Sequence, residues 1–141
     1  MQLSPDQVNE FVARVYPATR ELGDRCEDIG EGFARVRWTH DPAALRPGGL
    51  ISGPTQFAVA DLALWCLSFT VVGLAAMAVT SDLHIMFLRP AAGGDLVARA
   101  DLLRAGKTRI VGRVSLWVDG AEERPVSHAS GTYALAGSVA R

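Results

Sequence analysis

The chain reads as an α+β domain, one long apolar helix laid against an antiparallel sheet. Three observations predict this. Residues 54–72 are almost entirely apolar, and Asp61 is their only charge. Phe33–Thr39 alternates, with Phe33, Arg35 and Arg37 against Ala34, Val36 and Trp38, the period of two of a half-buried strand. The later apolar runs are separated by short turns, which favours antiparallel neighbours. With 141 residues the chain is one domain of ordinary size, expected to span 1–141, with an N-terminal cover helix in 1–22 and a central helix over 54–72.

Ser4-Pro5-Asp6-Gln7 is a helix start, with a Ser cap and a Gln three residues later. Val8, Phe11, Val12 and Val15 fall on one face, and Pro17 ends the helix near Tyr16. A short turn through Leu22 stops at Gly23. Strands are expected over Cys26–Ile29 and Phe33–Thr39, joined across Gly30-Glu31-Gly32. His40-Asp41-Pro42 to Pro47-Gly48-Gly49 is a turn-rich loop. It leads to Ser52-Gly53-Pro54, where Ser52 or Gly53 suits the cap and Pro54 the first helical position. A helix apolar on every side is a buried helix, so burial is expected all round. Further strands are expected over Ala76–Leu88, Leu96–Arg104, Arg109–Val118 and Pro125–Leu135, the later ones as a meander.

The net charge of −1 gives no electrostatic footprint for nucleic acid. Leu62–Ser81 is uncharged and about long enough to span a bilayer. Gly73 interrupts it, Asp61 and Asp82 bound it, and no Lys or Arg cluster flanks it, so a core helix is expected instead. The polar N-terminus predicts no signal peptide, and two cysteines far apart in sequence, Cys26 and Cys66, fit a reducing cytoplasm. His40, His84 and His128 are scattered and predict no metal cluster.

Several blocks occur together: Ser52-Gly53-Pro54 with Asp61 beyond it, then Phe87-Leu88-Arg89-Pro90, Gly94-Asp95 and Gly106-Lys107-Thr108. In that order they resemble the hotdog-fold acyl-CoA thioesterases of the phenylacetate-pathway type over about residues 22–135. Those enzymes carry His-Gly-Gly where Ser52-Gly53-Pro54 stands, and a loop Asn where Arg46 stands. The resemblance implies a curved antiparallel sheet wrapped around the central helix. It also implies an active site formed between two subunits, hence a homodimer or a dimer of dimers.

Two elements of that site survive, the Gly53 N–H and the Asp61 carboxylate. A backbone N–H at a helix N-terminus stabilises a developing oxyanion, which Pro54 cannot help to do. Asp61 is then either the general base for water or the nucleophile. The two lie about 12 Å apart on one helix, too far to share one carbonyl within a subunit. Otherwise Asp61 satisfies a donor in a subunit seam. Ser52, Arg46 and Trp65 are the expected substrate-binding residues. Ser52 suits a cap better than a nucleophile, since no Ser-His-Asp spacing supports the latter. Arg46 near the carbonyl would favour an acidic acyl group. Trp65, one turn beyond Asp61, either lines an acyl pocket or fills the core. The resemblance makes Arg89, Lys107 and Thr108 contacts to coenzyme A phosphates; otherwise they are solvated surface groups. The expected function is hydrolysis of a small or aromatic acyl-CoA, with coenzyme A only as part of the substrate and no separate cofactor. A non-catalytic acyl-CoA-binding or ligand-sensing protein is the alternative. A hydratase has less support, because no Asp–His pair accompanies the central helix.

Overall fold

A computed structural model describes residues 2–135 of the protein; residue 1 and residues 136–141 of the expected domain lie outside them. Helix α1 (Pro5–Val15) opens at Ser4 with a reciprocal box. The Ser4 hydroxyl accepts from the Gln7 N–H, and the Gln7 side chain accepts from the Ser4 N–H. It buries Val8, Phe11 and Val12 and ends at Tyr16. One further turn, α2 (Thr19–Leu22), closes on left-handed Gly23.

The strands are β1 (Asp24–Gly30), β2 (Phe33–Trp38), β3 (Val79–Phe87), β4 (Leu96–Ala105), β5 (Arg109–Val118) and β6 (Ser127–Ala134). They form one antiparallel sheet in the order β1-β2-β4-β5-β6-β3. The meander holds for β4, β5 and β6, but β3 departs from it. It starts at Val79 rather than Ala76 and pairs with β6 at the sheet edge. Residues 88–95 then carry the chain past β6 and β5 to place β4 beside β2. Alternation reveals a strand but not its partner, so this crossover had no local signal.

Helix α3 (Gly53–Val72) packs against all six strands of the curved, unclosed sheet, the hotdog arrangement. Two facing glycines permit the close approach. A Cβ on Gly112 of β5 would stand 2.7 Å from Leu67, and one on Gly131 of β6 would stand 2.8 Å from Leu64. Leu64, Leu67 and Phe69 are thereby fully buried, in one core with Leu96, Ile110 and Leu116. α3 is long and apolar enough to cross a bilayer, yet half of that stretch is buried within the domain.

The expectation of burial on every side fails over the first half of α3. Pro54, Phe57, Ala58 and Asp61 share one helical face, and none of them is buried in the protomer; Phe57 remains 40% exposed. An apolar composition conceals which face the fold leaves uncovered. β3 is also largely uncovered, exposing Val79, Met86 and Phe87. Cys26 and Cys66, distant in sequence, come into hydrogen-bond contact between β1 and α3 as free, buried thiols. That contact and the surrounding burial hold the Cys66 thiol well above its usual range.

Candidate active site

The residues singled out from the sequence fall into two groups at opposite ends of the sheet. The first group surrounds the start of α3. Ser52 caps the helix by accepting from the Thr55 N–H, and its hydroxyl donates to Thr55 Oγ1 at 3.0 Å. Gly53 opens the helix, so its N–H has no partner inside it. A Cβ there would come within 3.2 Å of the Phe87 ring. Gln56, one turn on and 4% exposed, donates from Nε2 to the Ile51 carbonyl at 3.1 Å and so fixes the turn that presents Gly53. Its Oε1 is buried without a partner. Gly53, Gln56, Phe87, Arg46 and Arg89 line one open cavity of about 390 Å³. Arg89 donates to the Pro125 carbonyl, which ties the end of β3 to the β5–β6 turn.

The second group surrounds Asp61. Its Oδ1 accepts from Thr80 Oγ1 at 2.6 Å and from the Tyr133 hydroxyl at 2.8 Å; the same hydroxyl lies 3.1 Å from the Asp61 carbonyl. Oδ2 accepts no hydrogen bond among the described residues. Burial, reinforced by the nearby Asp61 charge, keeps the Tyr133 phenol protonated far above its usual range, so it remains a donor. The result is a carboxylate fixed through one oxygen, with the other available to take a proton. Asp61, Trp65, Thr80 and Tyr133 line a cavity of about 380 Å³ with Asp24, Tyr16 and Ala58. Trp65 is nine-tenths buried and packs between Tyr16 and Phe69, its ring tilted by 59° and 58° to theirs. Burial pushes the Asp24 carboxyl up to about 7.

Lys107 and Thr108 sit exposed on the β4–β5 turn, at the Asp61 end, where Ile110 pairs with Tyr133. Arg89 lies at the other end, beyond the pair Leu116–Ser127. Along β5 this is about 23 Å, so one protomer does not bring Arg89 together with Lys107 and Thr108. Asp95, in the Gly94-Asp95 block, holds the loop before α3. It accepts from the His40 N–H at 2.8 Å and from Arg37 at 3.2 Å, and the His40 bond first, then Arg37, keeps its carboxyl below the usual range.

Thr80, Tyr133, Gln56 and Asp24 were not anticipated. Three of them reach the Asp61 cavity from β3, β6 and β1, and no sequence spacing connects such distant strands. Gln56 had a local signal, a lone amide in the first turn of an apolar helix. A third cavity, beside Ile29, Glu31 and Phe69, lies away from both groups. Among the described residues no His, Cys, Asp and Glu cluster is arranged to hold a metal.

The family model of the thioesterase superfamily matches residues 48–124, which include both Gly53 and Asp61. A candidate thioesterase from Silicibacter sp. TM1040 is 32% identical and superposes with a TM-score of 0.84, covering 94% of this chain and 91% of that one. The PaaI protein of the Escherichia coli phenylacetic acid degradation operon is 27% identical, with a TM-score of 0.75 over 92% of this chain and 95% of its own. A candidate thioesterase related to phenylacetic acid degradation, from Ralstonia eutropha, is 25% identical with a TM-score of 0.76 over 90% and 100%. No curated protein matches. The chain belongs to the thioesterase superfamily, in its PaaI-like hotdog branch, and is a thioester hydrolase.

Proposed function

We propose that the protein hydrolyses a small or aromatic acyl-CoA at a site shared between two subunits of a homodimer. In this reading the Gly53 N–H of one protomer faces the partner subunit's Asp61. Asp61 takes a proton from water through Oδ2, and the water oxygen bonds to the thioester carbon. The Gly53 N–H stabilises the resulting oxyanion. The C–S bond then breaks, the carboxylic acid is released, and the coenzyme A thiolate takes up the proton.

The observation that carries this reading is the separation of the two groups. Gly53 and Asp61 line different cavities in one protomer, and the helical face carrying Asp61 is uncovered. An edge strand that exposes Val79, Met86 and Phe87 is a natural pairing surface for a second copy. An antiparallel approach of two α3 helices supplies the missing half of each site. The same exchange sets Arg89 of one protomer on the side of the partner subunit's Lys107 and Thr108, where phosphates of coenzyme A are bound. The bulk of Trp65 limits the acyl group to a short or flat one. Free, buried Cys26 and Cys66 suit the reducing cytoplasm.

The test is thiol release across a panel of short, aromatic and long-chain acyl-CoA substrates, with Asp61→Asn run in parallel. Short or aromatic substrates are expected to be fastest, and the variant nearly inactive on all of them. A long-chain preference, or an unimpaired variant, contradicts the proposal.

A further inference from the structure

The two cysteines stand outside both groups of site residues, and hydrolysis uses neither. Cys26 is on β1 and Cys66 on α3, and their sulfurs meet in hydrogen-bond contact as free thiols. Both are held in fixed places. Asn9 of α1 fastens the Cys26 backbone twice, donating to its carbonyl and accepting from its N–H, each at 2.8 Å. Cys66 is 1% exposed, in the stretch of α3 that is buried throughout. A cavity of about 250 Å³ is lined by both cysteines and by the exposed Arg20 and Arg25. A water molecule fills about 30 Å³ of liquid, so several molecules as small as hydrogen peroxide fit there.

Buried thiols often serve only as small hydrophobes. Packing alone does not require two of them, from separate elements, to meet beside a cavity. A metal cage is not formed either, since a structural site takes four ligands and no suitable cluster exists among the described residues.

We propose that Cys26 and Cys66 are a redox pair, closed by hydrogen peroxide into a reversible disulfide that fastens β1 to α3. The two thiols are unequal. The contact with Cys66 holds the Cys26 thiol below its usual range despite burial, whereas Cys66 is held above it. Cys26 therefore reacts first. Its thiolate sulfur bonds to one peroxide oxygen, the O–O bond breaks, and the departing hydroxide takes up a proton to become water. Cys26 is then a sulfenic acid. The Cys66 sulfur gives up its proton and bonds to the Cys26 sulfur; the S–O bond breaks, and hydroxide and proton leave as a second water. The two thiols lose two electrons, which the peroxide gains. A dithiol reductant reverses the change by thiol–disulfide exchange. The bridge closes a long loop that runs from β1 through β2 to α3, so it removes freedom chiefly from the unfolded chain.

This pair is independent of the hydrolase reading, and its test does not use thioester cleavage. Full-length wild type, Cys66→Ala and Cys26→Ala are treated with hydrogen peroxide, cleared with catalase, and compared before and after dithiothreitol. Thiols are counted in denaturant, digests are mapped by mass spectrometry, and melting temperatures are recorded. Oxidised wild type is expected to have no titratable thiol and a peptide joining Cys26 to Cys66 within one chain. Its melting temperature should rise by at least about 5 °C, and dithiothreitol should reverse all three changes. Neither alanine variant should show the rise, and each covers the case where the other does not fold. The proposal is overturned by thiols that stay titratable, by sulfinic acid in place of the bridge, or by a bridge between two chains. A bridged chain that melts no higher, or an equal rise in a variant, overturns it as well.

Discussion

At its N-terminal end, α3 presents the Gly53 N–H beside Gln56, Phe87 and Arg89; two turns further on, Asp61 is gripped by Thr80 and Tyr133 beside Asp24 and Trp65. The first region is made of backbone geometry. It depends on a capping hydroxyl, a turn fastened by a buried amide, and the lack of a side chain on Gly53. The second is made of side chains delivered by three strands that are distant in sequence. In the proposed mechanism the first end stabilises charge and the second moves protons. Neither end holds both functions, which is why the uncovered face of α3 matters.

The largest effect is expected at the second region. Asp61→Asn keeps the shape and the neighbouring hydroxyls but removes the basic oxygen. It should lower turnover at least about a hundredfold while leaving the melting temperature near wild type. A rate within a fewfold of wild type would reduce Asp61 to a structural carboxylate.

Asp24 offers a thermodynamic counterpart. Its folded pKa, near 7, lies above that of the unfolded chain, so the folded state binds the extra proton between about pH 4 and 7. Stability attributable to Asp24 is therefore highest below that window and falls as pH rises through it. Asp24→Asn should match wild type near pH 4 and be more stable by about 4 kcal/mol near pH 8, because it never acquires the buried charge. Denaturant titrations at the two pH values check this, and an equal difference at both would contradict it.

Tyr133→Phe removes one of the two donors to Asp61 Oδ1 and leaves Thr80. Turnover should drop on the order of tenfold with KM little changed, since the carboxylate loses one of the two donors that fix its orientation. An unchanged rate would place Tyr133 in packing alone. The smallest effects belong to the surface cations. Arg89→Ala and Lys107→Ala should each weaken coenzyme A binding by only a fewfold, with added salt reproducing the loss in wild type. Salt-independent binding would remove both from the coenzyme site.

The sequence made the first region readable and much of the second unreadable, for a physical reason. Caps, turns and glycines act over a few residues, so Ser52-Gly53-Pro54 announced the helix start and Gly73 its end. The lone charge in an apolar helix singled out Asp61 in the same way. Thr80, Tyr133 and Asp24 reach it only through the register of β3, β6 and β1, which no local pattern encodes. The edge position of β3 and the meeting of Cys26 with Cys66 were hidden for the same reason. The uncovered stripe Pro54–Phe57–Ala58–Asp61 was concealed differently, by a helix so uniformly apolar that its faces look alike.

Subunit complementation tests the shared site most directly. Asp61→Asn disables the acid region, and Gly53→Val, whose side chain collides with Phe87, disables the N–H region. Each variant alone should be nearly inactive. Dissociated and reassembled together, half of the dimers are mixed, and each mixed dimer holds one site with both wild-type groups. Activity should then return to about a quarter of wild type, as two-fold symmetry requires. A mixture as inactive as its parents, with mixed dimers demonstrated by mass spectrometry, would contradict a site built from Gly53 of one subunit and Asp61 of the other.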